Sequence, residues 1–187
     1  MIGDMLRVAI QGYRASFHEA AALQYFGPDI EIVECESFPD VFAALPNCDY
    51  AVVAVRNTGA GEISESLACI ARDEPTVVEH ITLPITQCLV GVPGAKITDV
   101  REIYSHPVAI AQCLIYLARE MPKAALHETA DTAKSVADIK RWNNPRKAAI
   151  ASEFAADFYG MPVLARGIES ALNNATTFAI LQPKSAA

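Results

Sequence analysis

The sequence lacks the features that would place the chain in a membrane, in a secretion pathway or on nucleic acid. No apolar run reaches the roughly 18 residues of a membrane-spanning helix. The first residues, Met1 to Arg7, lack the basic-then-apolar order of a secretion signal, so we expect a cytoplasmic protein. The formal net charge is −7, whereas a nucleic-acid surface needs clustered Lys and Arg to neutralise phosphates. We therefore expect neither a membrane nor nucleic acid as a partner.

Metal-binding and disulfide motifs are also missing from the sequence. The five cysteines are odd in number and widely scattered, and none forms a CxxC pair. This spacing favours neither a zinc site nor a disulfide framework, so we expect buried, reduced thiols.

What the chain has is enough apolar sequence for a sizeable core. Its 187 residues are 52% hydrophobic and 20% charged, a balance typical of one large globular domain or two small lobes. Apolar runs predict strands at 6–11 and 50–55, and an alternating pattern predicts one at 30–35. Helical patterns follow these strands at 16–25, 38–45 and 63–71. This β-α-β-α-β-α order favours a parallel sheet with helices on its faces.

The pattern changes after Val77. Strands are predicted at 77–83, 85–91, 100–104, 126–129, 148–151 and 177–181, and helices at 108–120, 132–139 and 152–159. The last strand has no helix after it. The pattern by itself supports an α/β fold.

Polar residues follow two strands of the first half. Ser16 opens a helix with Ser-x-x-Glu spacing, and the positive end of that helix suits a carboxylate. Arg56, Asn57 and Thr58 follow a buried strand, at the carboxyl end where open α/β sheets bind ligands. An ordinary capped helix and an exposed arginine on a turn are the alternatives.

Two further segments carry polar residues near helix or strand starts. Ser105 is a predicted N-cap with Pro107 in the first turn, and Gln112 returns to the same helix face as Ser105. Thr176 enters the last predicted strand. Taken alone, these residues describe a good helix start and a structural threonine.

Taken together, these segments resemble the prephenate dehydratase family. Residues 104–113 match the family's Tyr-Ser-His-Pro-x-Ala-x-x-Gln-Cys, and residues 174–178 are similar to its Asn-x-Thr-Arg-Phe. Residues 12–17 resemble its Gly-x-x-Gly-Ser-Phe. The resemblance runs from Val8 to Leu181 and concerns the catalytic domain only, without the family's C-terminal amino-acid-binding regulatory domain.

The resemblance implies a fold and a set of site residues. The fold is two α/β lobes of the periplasmic-binding-protein type with a cleft between them, roughly 1–82 plus 164–187 and roughly 83–163. Thr176 is implied as the catalytic residue. The implied substrate-binding residues are Ser16, Arg56, Asn57, Thr58, Ser105, Gln112, Thr177 and Phe178. A homodimer is also implied.

The implied reaction converts prephenate to phenylpyruvate in phenylalanine biosynthesis, losing carbon dioxide and hydroxide as the ring aromatises. The protein must donate a hydrogen bond or proton to the leaving hydroxide and must hold the side-chain carboxylate. Hydroxyl and amide donors can do both, so we expect no metal and no organic cofactor.

Two positions depart from the family pattern. Arg56 stands where the family usually has glutamate, and Thr177 where it has arginine. Arg56 could restore the positive charge that Thr177 lacks, which is a charge relocation. The departures leave open a prephenate decarboxylase-type or other altered enzyme of secondary metabolism, and a non-catalytic carboxylate-binding module on the same scaffold.

Overall fold

The structure, a computed structural model, describes residues 5–184; residues 1–4 and 185–187, the outer ends of the expected first lobe, lie outside the described part. The chain forms two compact units. One runs up to Pro84 and resumes at Ala175, and the other comprises Ile85–Asn174. The α/β class predicted from the sequence is confirmed, with one mixed sheet in each unit.

Eleven strands and six α-helices are found in the described residues. In chain order they are β1 (Leu6–Gln11), α1 (Phe17–Phe26), β2 (Ile30–Cys35), α2 (Phe38–Ala44), β3 (Tyr50–Asn57), β4 (Gly61–Glu62), α3 (Ser64–Asp73), β5 (Thr76–Pro84), β6 (Cys88–Val90), β7 (Glu102–Ser105), α4 (Pro107–Glu120), β8 (Ala125–Glu128), α5 (Thr132–Trp142), β9 (Lys147–Ala151), α6 (Glu153–Tyr159), β10 (Val163–Arg166) and β11 (Ala175–Gln182).

The sheet of the first unit has the order β2-β1-β3-β11-β5, with β4 beside β3. β1 pairs in parallel with β2 and β3, as the alternation of strands and helices along the chain predicts. Strands buried on both faces need continuous apolar runs, and β3 has five consecutive buried residues from Ala51 to Val55. β11 lies antiparallel between β3 and β5, and thereby returns the end of the chain to the first unit.

Helices cover both faces of this sheet because strand residues alternate between the faces. Val8, Ile10 and Val52 pack with Ala21 and Ala22 of α1. The neighbouring positions pack on the other face with α2 and α3, in a cluster that includes Ala9, Val53, Val41, Phe42 and Cys69. Serine side chains cap two of these helices: Ser16 caps α1, as its spacing predicts, and Ser37 forms a capping box on α2.

The sheet of the second unit has the order β10-β6-β9-β7-β8. β7 pairs in parallel with β8 and β9, whereas β6 pairs antiparallel with β9 and β10. Helix α4 packs on this sheet through Ala109, Ile110, Cys113 and Leu117, which share a cluster with Ile103 of β7.

The chain returns from the second unit to the first later in the sequence than expected, after Asn174 and not at the expected boundary between residues 163 and 164. Val163–Arg166 forms β10, which the sequence pattern did not predict, and β10 pairs with β6 of the second sheet. This pairing holds the chain in the second unit until Asn174. The predicted strand at 85–91 is shorter, with only Cys88–Val90 paired.

The five cysteines are all buried and free, which confirms the expected buried thiols. None of the helices within residues 5–184 combines the length and apolar character that a membrane crossing needs.

Candidate functional site

The end of β3 and the start of β11 bring four of the expected site residues together. In the antiparallel register Thr176 lies opposite Asn57, and Thr177 lies opposite Arg56. Asn57 and Thr176 are 7% and 8% exposed, so both side chains are nearly buried. Asn57 and Thr176 are 119 residues apart in sequence, and the pairing of β3 with β11 makes them neighbours.

The amide of Asn57 has one orientation that fits its surroundings. Its Oδ1 accepts hydrogen bonds from the backbone N–H groups of Gly59 and Ala60, at 2.8 and 2.9 Å. Because both partners are donors, this end of the amide must be the oxygen. The Nδ2 end therefore points to β11, where it donates to the Ala175 carbonyl at 3.1 Å and to Thr176 Oγ1 at 2.9 Å.

This orientation determines what the Thr176 hydroxyl can do. Thr176 Oγ1 accepts from Asn57, so its own hydrogen is left to be donated to another acceptor. The bond from Asn57 also fixes where Oγ1 lies. The arrangement is a buried hydroxyl with a fixed oxygen and a proton to donate.

Thr58 ties the same two strands together. Its backbone N–H donates to the Ala175 carbonyl at 2.9 Å, and its Oγ1 accepts from the Ala175 N–H at 3.0 Å. Thr58 is exposed, unlike Asn57. These contacts make the turn after β3 a rigid support for the start of β11.

Arg56 and Thr177 share the other face of the sheet. Successive residues of a strand point to opposite faces, so this pair lies on the side away from Asn57 and Thr176. Thr177 Oγ1 is 3.2 Å from Thr82 Oγ1 on β5. Arg56 is exposed, and its register partner on β4 is Glu62. The two departures from the family pattern are thus direct cross-strand neighbours.

Ser16 is placed at the N-terminus of α1 and is 2% exposed. Its Oγ accepts the Glu19 N–H at 3.3 Å. The preceding Ala15 has φ 67°, in the left-handed region that favours glycine. The buried Glu19 carboxylate holds this turn, since it accepts the Ala15 N–H and pairs with Arg14 Nε at 2.8 Å.

Phe178 lies in the core, not at a ligand-accessible surface. It is 1% exposed, and its ring meets the His18 imidazole edge-on with centroids 5.2 Å apart. His18 also contacts Phe38, and its Nε2 accepts the Ala54 N–H at 3.2 Å. This burial lowers the pKa of His18 to about 4. In this structure Phe178 contacts core side chains, and its role in substrate binding stays a prediction.

Ser105, in the second unit, is also a structural residue here. It is completely buried, and its hydroxyl donates to the Ile150 carbonyl at 2.6 Å, tying β7 to β9. A hydroxyl used in this way has no surface to offer a substrate. The side chain that caps α4 is instead His106, which accepts from the Val108 N–H at 3.3 Å.

Gln112 belongs to a cluster of amides within the second unit. Its Oε1 accepts from Asn174 Nδ2 at 3.1 Å and from Gln87 Nε2 at 3.2 Å. Gln87 is 3% exposed, and its Oε1 is the one buried side-chain oxygen or nitrogen of the described residues without a hydrogen-bond partner. A buried acceptor without a donor is costly, which marks Gln87 as a residue that a ligand could satisfy.

Sequence reasoning missed Gln87 and used Asn174 only as part of a motif. No spacing rule points to Gln87, because it lies in a short segment before β6 and meets its partners through the fold. Within residues 5–184, no group of three or more His, Cys, Asp or Glu side chains is arranged to hold a metal ion. The polar groups described above are hydroxyls and amides, which suit hydrogen bonding to an oxyanion or hydroxyl of a substrate.

Comparison with known proteins agrees with the sequence motifs. The profile described as "Prephenate dehydratase" matches residues 8–186. The chain is 35% identical over 179 residues to arogenate dehydratase/prephenate dehydratase 1 of Arabidopsis thaliana, covering 94% of this chain and 45% of that relative. The chain thus spans about half the length of the curated relatives it matches.

Two solved structures have a similar fold, and about a quarter of their aligned residues are identical to those of this chain. Prephenate dehydratase from Arthrobacter aurescens, in complex with L-Phe, is 27% identical with a TM-score of 0.88, over 97% of this chain and 61% of that chain. GqqA, described as a novel type of quorum quenching acylase, is also 27% identical, with a TM-score of 0.83, over 97% of this chain and 65% of that chain. Because the profile match extends over nearly the whole sequence, the chain belongs to the prephenate dehydratase family.

Proposed function

We propose that the chain is a prephenate dehydratase-type carbon–oxygen lyase that converts prephenate to phenylpyruvate in phenylalanine biosynthesis. The single observation that carries the proposal is the Thr176 hydroxyl, which is held by Asn57 with its proton left to donate. Family membership supplies the reaction class, and this hydroxyl supplies the donor that the reaction needs.

Thr176 assists departure of the hydroxyl group. As the carbon–oxygen bond breaks, its electron pair leaves with the oxygen, and the pair of the ring carbon–carboxylate bond moves into the ring and releases carbon dioxide. Thr176 donates a hydrogen bond or proton to the departing oxygen, which leaves as hydroxide or water. One positioned donor in a site shielded from water lowers the barrier by about 2.7–4 kcal/mol.

Asn57 acts through Thr176 and is a positioning residue. Its amide makes bonds to Gly59, Ala60, Ala175 and Thr176, so the substrate role expected from the sequence gives way to a role in orienting the hydroxyl. A rigid turn supports this orientation better than a mobile side chain, because a fixed donor needs no reorganisation during the reaction.

Thr58, Ser16 and Gln112 remain proposed contacts for the carboxylates and the hydroxyl of the substrate. Ser16 lies where the positive end of α1 favours an anion. Gln112 lies beside the unpaired oxygen of Gln87 in the second unit. We propose that no metal and no organic cofactor takes part.

The two departures support a relocated charge. Arg56 and Thr177 occupy opposite positions on neighbouring strands, so a cation on β3 can reach the space that an arginine on β11 would fill. Both lie on the face away from the Thr176 hydroxyl, which leaves the Asn57–Thr176 pair intact. Arg56→Glu and Thr177→Arg should each lower activity, whereas the double variant should retain it. Additive losses would refute the relocation.

The function is tested with purified protein and prephenate, with mass spectrometry of all products. Wild-type protein should form phenylpyruvate well above the spontaneous rate, Thr176→Ala should lose about 100–1,000-fold of that rate, and Thr176→Ser should recover part of it. The same assay with arogenate distinguishes between prephenate and arogenate, the two substrates that appear in the relatives' names.

Other products would identify the alternatives. A decarboxylated, non-aromatic product would indicate a decarboxylase-type enzyme of secondary metabolism. Ligand-induced stabilisation without turnover would indicate a carboxylate-binding module, and hydrolysis of an acylated substrate would indicate the chemistry for which GqqA is described. We further propose a cytoplasmic location and a homodimeric state.

A further inference from the structure

A surface cavity lies within the second unit, between the segment that precedes β7 and the end of α4. Its volume is about 400 Å³, at the small end of the roughly 300–1,000 Å³ that ligand pockets occupy. One wall comes from the 3₁₀ turn that begins at Ile97 and from Val100 and Arg101, which follow that turn. The other wall is formed by residues 120–124. We call this space the β7–α4 cavity.

The β7–α4 cavity is separate from the polar residues expected at the substrate site. Arg101 lies directly before β7, whereas Ser105 is the last residue of that strand. Glu120 ends α4, eight residues after Gln112, which corresponds to about 12 Å along the helix axis. Neither Ser105 nor Gln112 belongs to the lining. The cavity is thus a different site from the amide cluster around Gln112.

Much of the cavity lining is apolar. Val100 is 3% exposed and Met121 7%, and both belong to the core cluster beneath α4. Ile97 packs against the same cluster, and Pro122 adds a further apolar side chain to the lining. A bound molecule is therefore stabilised by burying an apolar body here, which a bare inorganic ion does not have.

Arg101 presents two fixed donors at this cavity. Its Nη1 donates to the carbonyls of Thr98 and Val100, at 2.7 and 2.8 Å, and these bonds hold the guanidinium in place. The Nε and Nη2 groups on the other edge have no acceptor among residues 5–184. Two neighbouring N–H groups of a guanidinium match the two oxygens of a carboxylate.

Lys123 adds a second positive charge to the lining. Within the described part of the chain neither Lys123 nor Arg101 has an ion-pair partner, whereas most basic side chains of this acidic chain do. Glu120, which also lines the cavity, is paired with Arg119 at 2.7 Å. The negative end of the α4 dipole accounts for a cation at Lys123, but Arg101 belongs to a different segment. The lining therefore combines excess positive charge with apolar surface.

We propose that the β7–α4 cavity binds a small carboxylate that carries an apolar body. The carboxylate accepts hydrogen bonds from Nε and Nη2 of Arg101, and Lys123 adds to its electrostatic attraction. The body packs against Ile97, Val100 and Met121. The apolar lining discriminates against inorganic anions, and the guanidinium edge discriminates against neutral apolar molecules. The cavity is an accessory binding site of the second unit, independent of the chemistry at Thr176.

The test is a titration with 3-phenylpropionate, followed by NMR of ¹³C-labelled methyl groups. The methyl signals of Ile97, Val100 and Met121 should shift and saturate with a Kd of about 0.1–1 mM, an ordinary affinity for so small a ligand. Acetate and inorganic phosphate carry charge without the apolar body, and 3-phenylpropan-1-ol carries the body without the charge. Each of these three should bind at least roughly 10-fold more weakly.

Substitutions separate the role of the guanidinium from that of charge alone. Arg101→Gln should raise the Kd by roughly 10-fold, and Arg101→Lys should recover only part of the loss, because lysine keeps the charge without the paired donors. The matched control is Arg146→Gln. Arg146 is an exposed arginine whose carbonyl accepts the Arg101 N–H, and it is not part of the lining, so the Kd should not change. Circular dichroism checks that each variant is folded.

Three results would overturn the proposal. The first is the absence of saturable shifts at the cavity methyl groups up to about 10 mM ligand. The second is a Kd that Arg101→Gln leaves unchanged, or that acetate matches. The third is a set of shifts confined to the surroundings of Gln112 and Thr176, which would place the ligand in the candidate functional site instead.

Discussion

His18 should make the folded protein sensitive to mild acid. Its imidazole packs between Phe38 and Phe178, and its Nε2 accepts the Ala54 N–H, so the neutral form fits the site. Protonation would place a charge among aromatic rings and remove the acceptor of that hydrogen bond. Burial accordingly lowers the pKa of His18 from 6.5 to about 4.

The size of the effect follows from the difference between the folded and unfolded pKa values. Above pH 6.5 the imidazole is neutral in both states, and His18 contributes its full stability. As the pH falls below 6.5, the unfolded chain binds the proton first, which favours unfolding. The loss grows until the pH reaches about 4, and at pH 4.5 it is about 2.5 kcal/mol relative to neutral pH.

The assay compares urea unfolding of the wild-type protein and His18→Gln at pH 7.0 and 4.5. Glutamine keeps an acceptor for the Ala54 N–H but does not titrate, so the pH dependence of the difference between the two proteins isolates His18. His80→Gln, on an exposed histidine of β5, is the matched control and should keep the wild-type pH dependence. An imidazole of His18 that titrates near 6.5 by NMR, or equal pH dependence in wild type and His18→Gln, would refute the reasoning.

Three further predictions concern Asn57 and Ser105, whose expected roles the structure changed, and Gln87, which the structure added. Asn57→Ala should lower kcat by roughly 10–100-fold and change KM little, because the Thr176 hydroxyl loses its orienting donor; steady-state kinetics with an effect on KM alone would contradict this. Ser105→Ala should lower the free energy of unfolding by about 1–3 kcal/mol with kcat and KM unchanged, because the hydroxyl serves the Ile150 carbonyl; a raised KM in a fully stable variant would return Ser105 to the substrate site. Gln87→Met should raise KM by roughly 3–10-fold, since its unpaired oxygen would no longer receive a hydrogen bond from the substrate; an unchanged KM with higher stability would show that the oxygen has no ligand.

Much of the fold could be predicted from the sequence because its strands are short apolar runs or alternating segments. The parallel strands β1 and β3 are apolar runs, and so is β11, whereas β2 alternates. The four residues Val163–Arg166 follow a proline and have too short a pattern to be distinguished from a loop. Missing that strand also displaced the expected crossing between the units, since β10 is what keeps the chain in the second sheet.

The site could be predicted only as a set of segments. Motifs marked Thr176 and Asn57 as site residues, but the direction of the Asn57 amide depends on the backbone N–H groups of a turn, which no spacing rule provides. The pairing of Arg56 with Thr177 depends on strand register, which is irregular at the next residue of β11. Ser105 and Phe178 share motifs with exposed residues, yet their side chains point into the interior.

The position of β11 has a consequence for how the protein is made. This strand joins β3 to β5, and among the described strands it is the one that links β5 to the first sheet. On the ribosome, the whole of Ile85–Asn174 emerges before β11 does. The second unit can thus complete its own sheet before β11 is available to the first. Until then, β3 and β5 each lack the strand with which they pair on that side. The hydroxyl of Thr176 and the amide that orients it can therefore come together only after the second unit has been synthesised.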